Sequence, residues 1–186
     1  MPDATAALAR LSEVARTPRQ YVDQWRADHP GRQVVGVSDV ERVPILAGAL
    51  AALGTTHAMV VYGEPGLDEV SPLGPTHVVE VRKGSTTRWT IQPEEHGFKN
   101  IALADLAGSE PADNARIIVT LLDGKGPSGA RAATLLNAAA AIYVSGRVKS
   151  FSDGVAAAKK SIDSGQAKSV LDRLRRASPR AFKTAT

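Results

Sequence analysis

Cysteine is absent from the 186 residues, which removes disulfides, thiolate metal sites and a cysteine nucleophile from consideration. Aromatic residues are scarce at 4%. A core must therefore be built mostly from Ala, Val, Leu and Ile, and an aromatic stacking platform for single-stranded nucleic acid is disfavoured. No apolar run approaches the roughly 20 residues needed to span a bilayer. The opening MPDATAALARLSEVAR mixes charges through its apolar residues, unlike a secretory signal. The four histidines, at 29, 57, 77 and 96, show no metal-ligand spacing such as HExxH. These absences lead to the expectation of a soluble cytoplasmic protein with no membrane partner.

What is present fits one ordinary domain. Hydrophobic residues make up 43% and charged residues 23% of the chain, the balance of a globular protein. The length is ample for one core and marginal for two. Charge is unevenly placed. From Arg147 onward there are ten Lys/Arg and three Asp, a net of +7, so the rest of a chain of net charge +4 carries −3. A basic end of this kind can touch a polyanion. The commoner reading is a solvated helix face with a frayed tail, so nucleic acid is an unlikely partner.

Periodicity gives the element order. Residues 3–28 read as two helices with single apolar stripes, including Leu8, Leu11, Tyr21 and Trp25. QVVGV (33–37) reads as a buried strand, and Ser38 with Glu41 reads as a capping box opening a helix over about 39–53. Gly54 stops that helix and Ala58–Val61 is the next buried strand, so this stretch forms a parallel βαβ unit. THVVEVR (76–82) and TTRWTIQ (86–92) flank a KGS turn and form a hairpin, which makes the sheet mixed. Helices follow over 110–122, with Ala115, Ile118, Val119 and Leu122 on one face, and over 132–144 as the buried central helix. Two more follow, one capped by Ser152 or Asp153 and running to Ile162, and one over 166–177. The expected organisation is a helical arm (1–31), one α/β domain (32–178) and a loose tail (179–186).

The chemistry-bearing stretch is VVYGEPGLDEVSPLGP (60–75). A strand ends in a glycine, and a loop carrying Glu64, Asp68 and Glu69 follows. Ligand sites of parallel α/β sheets lie at such positions, past the carboxyl ends of strands. By spacing alone, Asp68 and Glu69 are most simply a solvated acidic turn. GKGPSG (124–129) lacks the GxxxxGK[ST] spacing of a phosphate loop and reads as an interhelical connector. His57 and His77 read as structural or surface residues. Asn137, inside the central helix, calls for a hydrogen bond to nearby backbone.

Several of these segments together resemble one family. RQVVGVSD (32–39), LGTTHAMVVYGEPGLDEVS (53–71), GPTHVVEVRKG (74–84) and PEEHGF (93–98) are similar to the C-terminal part of anthranilate phosphoribosyltransferase. EPADNARI (110–117), GKGPSGARAATLLNAAAAIYVSG (124–146) and GVAAAKKSIDSG (154–165) continue the match. The resemblance implies a partial phosphoribosyltransferase C-terminal domain of the nucleoside phosphorylase type. It also implies that Asp68 and Glu69, the acidic pair of GLDE, bind a magnesium ion that accompanies phosphoribosyl pyrophosphate (PRPP). Tyr62 stands where the family often has a histidine and carries no assigned chemistry.

The family's phosphate-cradling GTGGD motif, its serine cluster, its KHGN segment and its anthranilate-contacting arginine have no counterpart here. The expectation is a truncated or split glycosyltransferase of tryptophan biosynthesis, inactive alone. It would meet PRPP and anthranilate only when an N-terminal half is supplied. The alternative is a non-catalytic, oligomerising or partner-binding module. Either way the strand at 33–37 leaves an open sheet edge, to be covered by the helical arm, by a second copy in a homodimer, or by a partner chain.

Overall fold

The computed structural model describes residues 31–177 of the protein. Four strands, β1 (Arg32–Gly36), β2 (His57–Gly63), β3 (Thr76–Arg82) and β4 (Ser85–Ile91), form one sheet in the order β1-β2-β3-β4. β1 and β2 are parallel, from Arg32 opposite His57 to Gly36 opposite Val61, and both remaining pairs are antiparallel. The helices are α1 (Arg42–Ala52), α2 (Pro111–Leu122), α3 (Ser128–Val144), α4 (Phe151–Asp163) and α5 (Gln166–Ala177). Short 3-10 turns at Pro93–His96 and Leu103–Leu106 lead from the sheet into α2. The mixed α/β fold expected from the sequence is the fold observed. The expected arm and tail, with Leu8, Leu11, Tyr21 and Trp25, lie outside the described residues.

β2 is apolar along nearly its whole length because both of its faces are covered. Met59 and Val61 join Val78, Ile91 and the α3 residues Leu136, Ala139 and Ala140 on one side. Ala58 and Val60 join Val79, Val81 and the α1 residues Val43 and Ala47 on the other. A third cluster, Leu121, Leu135, Ala158 and Ile162, ties α2 and α4 to the back of α3. α3 is thus packed from two sides, as its nearly uniform apolar sequence demands. The β3–β4 turn is two residues long: Lys83 and Gly84 both adopt positive φ, 48° and 81°. That conformation matches the twist of the two strands it joins.

Four local expectations are corrected. Ser38 and Glu41 form no capping box, and α1 begins at Arg42 with no side-chain cap on its N-cap residue. The turn is instead made by Asp39, whose Oδ1 accepts from the Glu41 N–H at 3.0 Å, and Pro44 in the first turn needs no hydrogen-bond partner for a missing N–H. α3 begins four residues earlier than 132, directly after Pro127, which serves as its N-cap. α4 is capped by Ser150, which accepts from the Asp153 N–H at 3.1 Å, and not by Ser152 or Asp153. On α2 the buried residue is Leu121, while Ala115 and Ile118 are exposed.

Candidate functional site

The acidic loop, residues 64–75, leaves the carboxyl end of β2 and is strapped across the strand ends. Gly63 donates to the Leu67 carbonyl at 2.8 Å and Leu67 donates back to the Gly63 carbonyl at 2.7 Å. At the far end of the loop Glu64 donates to the Pro75 carbonyl at 2.9 Å, and the Ser71 N–H to Thr76 Oγ1 at 2.9 Å. Ser71 Oγ donates to the Glu64 carbonyl at 2.6 Å. The loop lies so close to the sheet that glycine is required beneath it. A Cβ on Gly36 would fall 1.5 Å from the Asp68 carbonyl oxygen, and one on Gly63 would fall 2.6 Å from that of Glu69. The backbone of the acidic pair therefore rests directly on the last residues of β1 and β2.

Asn137 fixes the next residue. Its Oδ1 accepts from the Val70 N–H at 2.9 Å, and its Nδ2 donates to the Val70 carbonyl at 3.0 Å and to the Ala133 carbonyl at 3.0 Å. One amide side chain from α3 thus satisfies both backbone groups of Val70, whose own side chain is fully buried in the core. The bond to backbone expected of Asn137 is present, and it reaches across the fold to anchor the segment carrying Asp68 and Glu69.

Asp68 and Glu69 themselves are exposed. Among the described residues neither carboxylate has a hydrogen-bond or ion-pair partner, and no cluster of three or more His, Asp or Glu is arranged to hold a metal. Glu64, the third acid of the loop, pairs with His77 Nε2 at 3.0 Å, and His77 stacks on Tyr62 with centroids 6.1 Å apart. Two carboxylates on a rigid backbone do not make a cage for calcium. Magnesium is the cation whose needs such a pair can meet in part, since it takes one or two carboxylates and completes its shell with water and substrate phosphate oxygens.

At the opposite end of β2 lies a cluster that sequence reasoning missed. Glu80 is buried, and its Oε1 lies 2.7 Å from His57 Nε2, 2.5 Å from Arg82 Nε and 3.0 Å from the Tyr143 hydroxyl. Its Oε2 accepts from Trp89 Nε1 at 3.0 Å. Burial pushes the Glu80 carboxyl up, but the hydrogen bonds from Arg82, His57 and Tyr143 outweigh it and hold the group below its ordinary value. Burial likewise drives the His57 imidazole down, outweighing the hydrogen bond to Glu80 that pushes it up, and the nearby Arg82 charge adds to the lowering. The only signal in the sequence was a glutamate inside the apolar run VVEV, whose partners lie as far as 63 residues away. His57 is the structural residue anticipated. GKGPSG is the connector between α2 and α3, as expected.

Residues 25–168 match the family model described as "Glycosyl transferase family, a/b domain". The chain is 50% identical over 142 residues to an anthranilate phosphoribosyltransferase of Anaeromyxobacter sp. (strain K), covering 76% of this chain and 42% of that protein. It is 46% identical over 144 residues to the enzyme of Paramagnetospirillum magneticum, covering 77% and 41%. Among solved structures, the Thermus thermophilus enzyme superposes with a TM-score of 0.65 at 40% identity, over 74% of this chain and 40% of that one. The Saccharomyces cerevisiae enzyme in complex with PRPP and Mg gives 0.69 at 29% identity, over 77% and 42%. The chain spans about two fifths of the length of these curated relatives. Through residues 25–168 it belongs to the glycosyl transferase family as an a/b domain, with anthranilate phosphoribosyltransferases as its relatives.

Proposed function

We propose that this chain supplies the metal-carrying part of a phosphoribosyl-transfer site and works when a second segment supplies the phosphate cradle. The reading rests on one observation: Asp68 and Glu69, which the resemblance assigns to the family's acidic motif, lie on a loop held against the ends of β1 and β2. In the proposed reaction the amine of anthranilate attacks the anomeric carbon of PRPP. A C–N bond forms as the C–O bond to pyrophosphate breaks, and the amine releases a proton. Magnesium, when bound, stabilises the charge that grows on the departing pyrophosphate.

Asp68 and Glu69 would hold the ion, Gly36 and Gly63 let their backbone approach the sheet, and Asn137 fixes the register of the loop. Nothing in the sequence matches the glycine-rich cradle that would grip the phosphates, so metal and PRPP bind weakly to this chain alone. The proposed partner surface is the edge of β1, which has no neighbouring strand on its outer side among the described residues and whose RQVVG sequence is mostly apolar, whereas the outer strand β4 begins with the polar run STTR. The helical arm, a second copy of the chain or a separate N-terminal half would cover that edge.

The test is a chimera in which residues 32–186 replace the matching part of the Anaeromyxobacter relative. Turnover of PRPP and anthranilate is expected, and Asp68→Ala/Glu69→Ala should lower it by roughly 100-fold or more, the scale of losing one transition-state contact. Full activity in the double variant would overturn the assignment. A folded chimera that binds PRPP but never turns over would favour the other reading, a non-catalytic descendant kept as a partner-binding module.

A further inference from the structure

A cavity lies around the amino-terminal end of the parallel strands, away from the acidic loop. It is a half-open hollow of about 550 Å³ between the start of β1, the β3–β4 turn, the carboxyl end of α3 and the α3–α4 connection. Four cations line it, Arg32, Arg82, Lys83 and Lys149, and among the described residues no carboxylate does. Glu80 lies behind the wall and is already bonded to Arg82 and His57. Arg32 donates one bond to the Val144 carbonyl at 2.8 Å, and Arg82 donates one to Glu80 while its guanidinium carbon sits 5.1 Å from the centre of the Tyr143 ring. A guanidinium has five N–H donors, so among the described residues most of the donors on both arginines are left without a protein acceptor. Concentrating like charge around a concave, partly apolar surface focuses a positive potential that favours an anion.

We infer that this cavity binds the phosphate of a small phosphate ester about the size of a mononucleotide. Planar guanidinium forks and mobile ammonium groups match tetrahedral phosphate oxygens. The volume exceeds what a bare anion fills and lies in the range of small-molecule sites, and Tyr143 and Val148 offer apolar wall for the organic part. The site is separate from the acidic loop. The six residue steps of β2 from His57 to Gly63 set the two ends about 20 Å apart, at about 3.3 Å per residue.

The probe is AMP, titrated calorimetrically into the full chain with a chelator present, so that no magnesium bridges ligand and acidic loop. Saturable binding that weakens with added salt is expected. Lys83→Asn with Lys149→Gln should weaken it about tenfold or more. Both lysines are exposed and asparagine suits the positive φ of position 83, so that variant keeps the fold. Asp68→Ala/Glu69→Ala should leave AMP binding unchanged. Absence of saturable binding, indifference to the lysine variant, or loss in the Asp68/Glu69 variant would each overturn the proposal. Inorganic phosphate binding as tightly as AMP would overturn the role given to Tyr143 and Val148. A short RNA binding far more tightly than AMP would assign the surface to nucleic acid instead.

Discussion

At the scale of single residues, Asn137 is the side chain on which the geometry of the acidic loop depends most. It is the sole hydrogen-bond partner seen for either backbone group of Val70 among the described residues, and it sits on the most deeply buried helix. Replacing it with alanine leaves a buried N–H and a buried C=O unsatisfied. Each such group costs about 1–3 kcal/mol, so Asn137→Ala is expected to destabilise the protein by about 2–6 kcal/mol, read from the midpoint of a urea unfolding curve. A loss below about 1 kcal/mol would show that water or a shifted loop replaces the amide. Asn137 stood out in the sequence only as a polar residue in an apolar helix. Nothing local could tell that its partner lay 67 positions earlier, because that pairing is created by packing α3 on the sheet.

At the scale of elements, the sequence was most legible where the signal is local and continuous. The βαβ unit and the hairpin were readable because both strands of each carry apolar or alternating runs bounded by Gly54 or by Lys83–Gly84. Helix faces were less so. The inward side of α2 is chosen by Leu135, Ala158 and Ile162 on other elements, so its own pattern, with Ile118 as prominent as Leu121, could not decide it. The Glu80 cluster belongs to the same class, since it joins β2, β3, β4 and α3. Its charge states give a pH prediction. His57 has a lowered folded-state value, so the unfolded chain binds the extra proton first as pH falls. Stability is therefore full above the ordinary histidine range, near pH 6.5, and declines as pH falls through and below it. His96, also lowered by burial, adds in the same sense. Glu80, held below its ordinary value, adds a second loss at still lower pH, below the usual carboxylate range near 4.3. Urea midpoints between pH 8 and pH 4 should fall with pH, and His57→Gln should flatten the upper part of that fall. An unchanged slope in that variant would remove His57 from the account.

At the scale of the whole molecule, fold and site occupy different parts of the structure. Three core clusters hold the sheet between α1 on one face and α3 with α4 on the other. The side chains of Asp68 and Glu69 belong to none of them and are exposed at the rim where the strands end. What the fold needs at that rim is the backbone of the loop, held by Gly36, Gly63 and Asn137 from below. The two carboxylates are an addition that packing does not use. Exposed substitutions away from such anchors usually change stability by no more than about 0.5 kcal/mol. Asp68→Ala/Glu69→Ala should therefore leave the urea midpoint within that margin in the absence of magnesium and PRPP, while Asn137→Ala lowers it markedly. If the double variant instead lost more than about 1 kcal/mol, the pair would be serving the fold. Its position over the strand ends would then cease to argue for a metal.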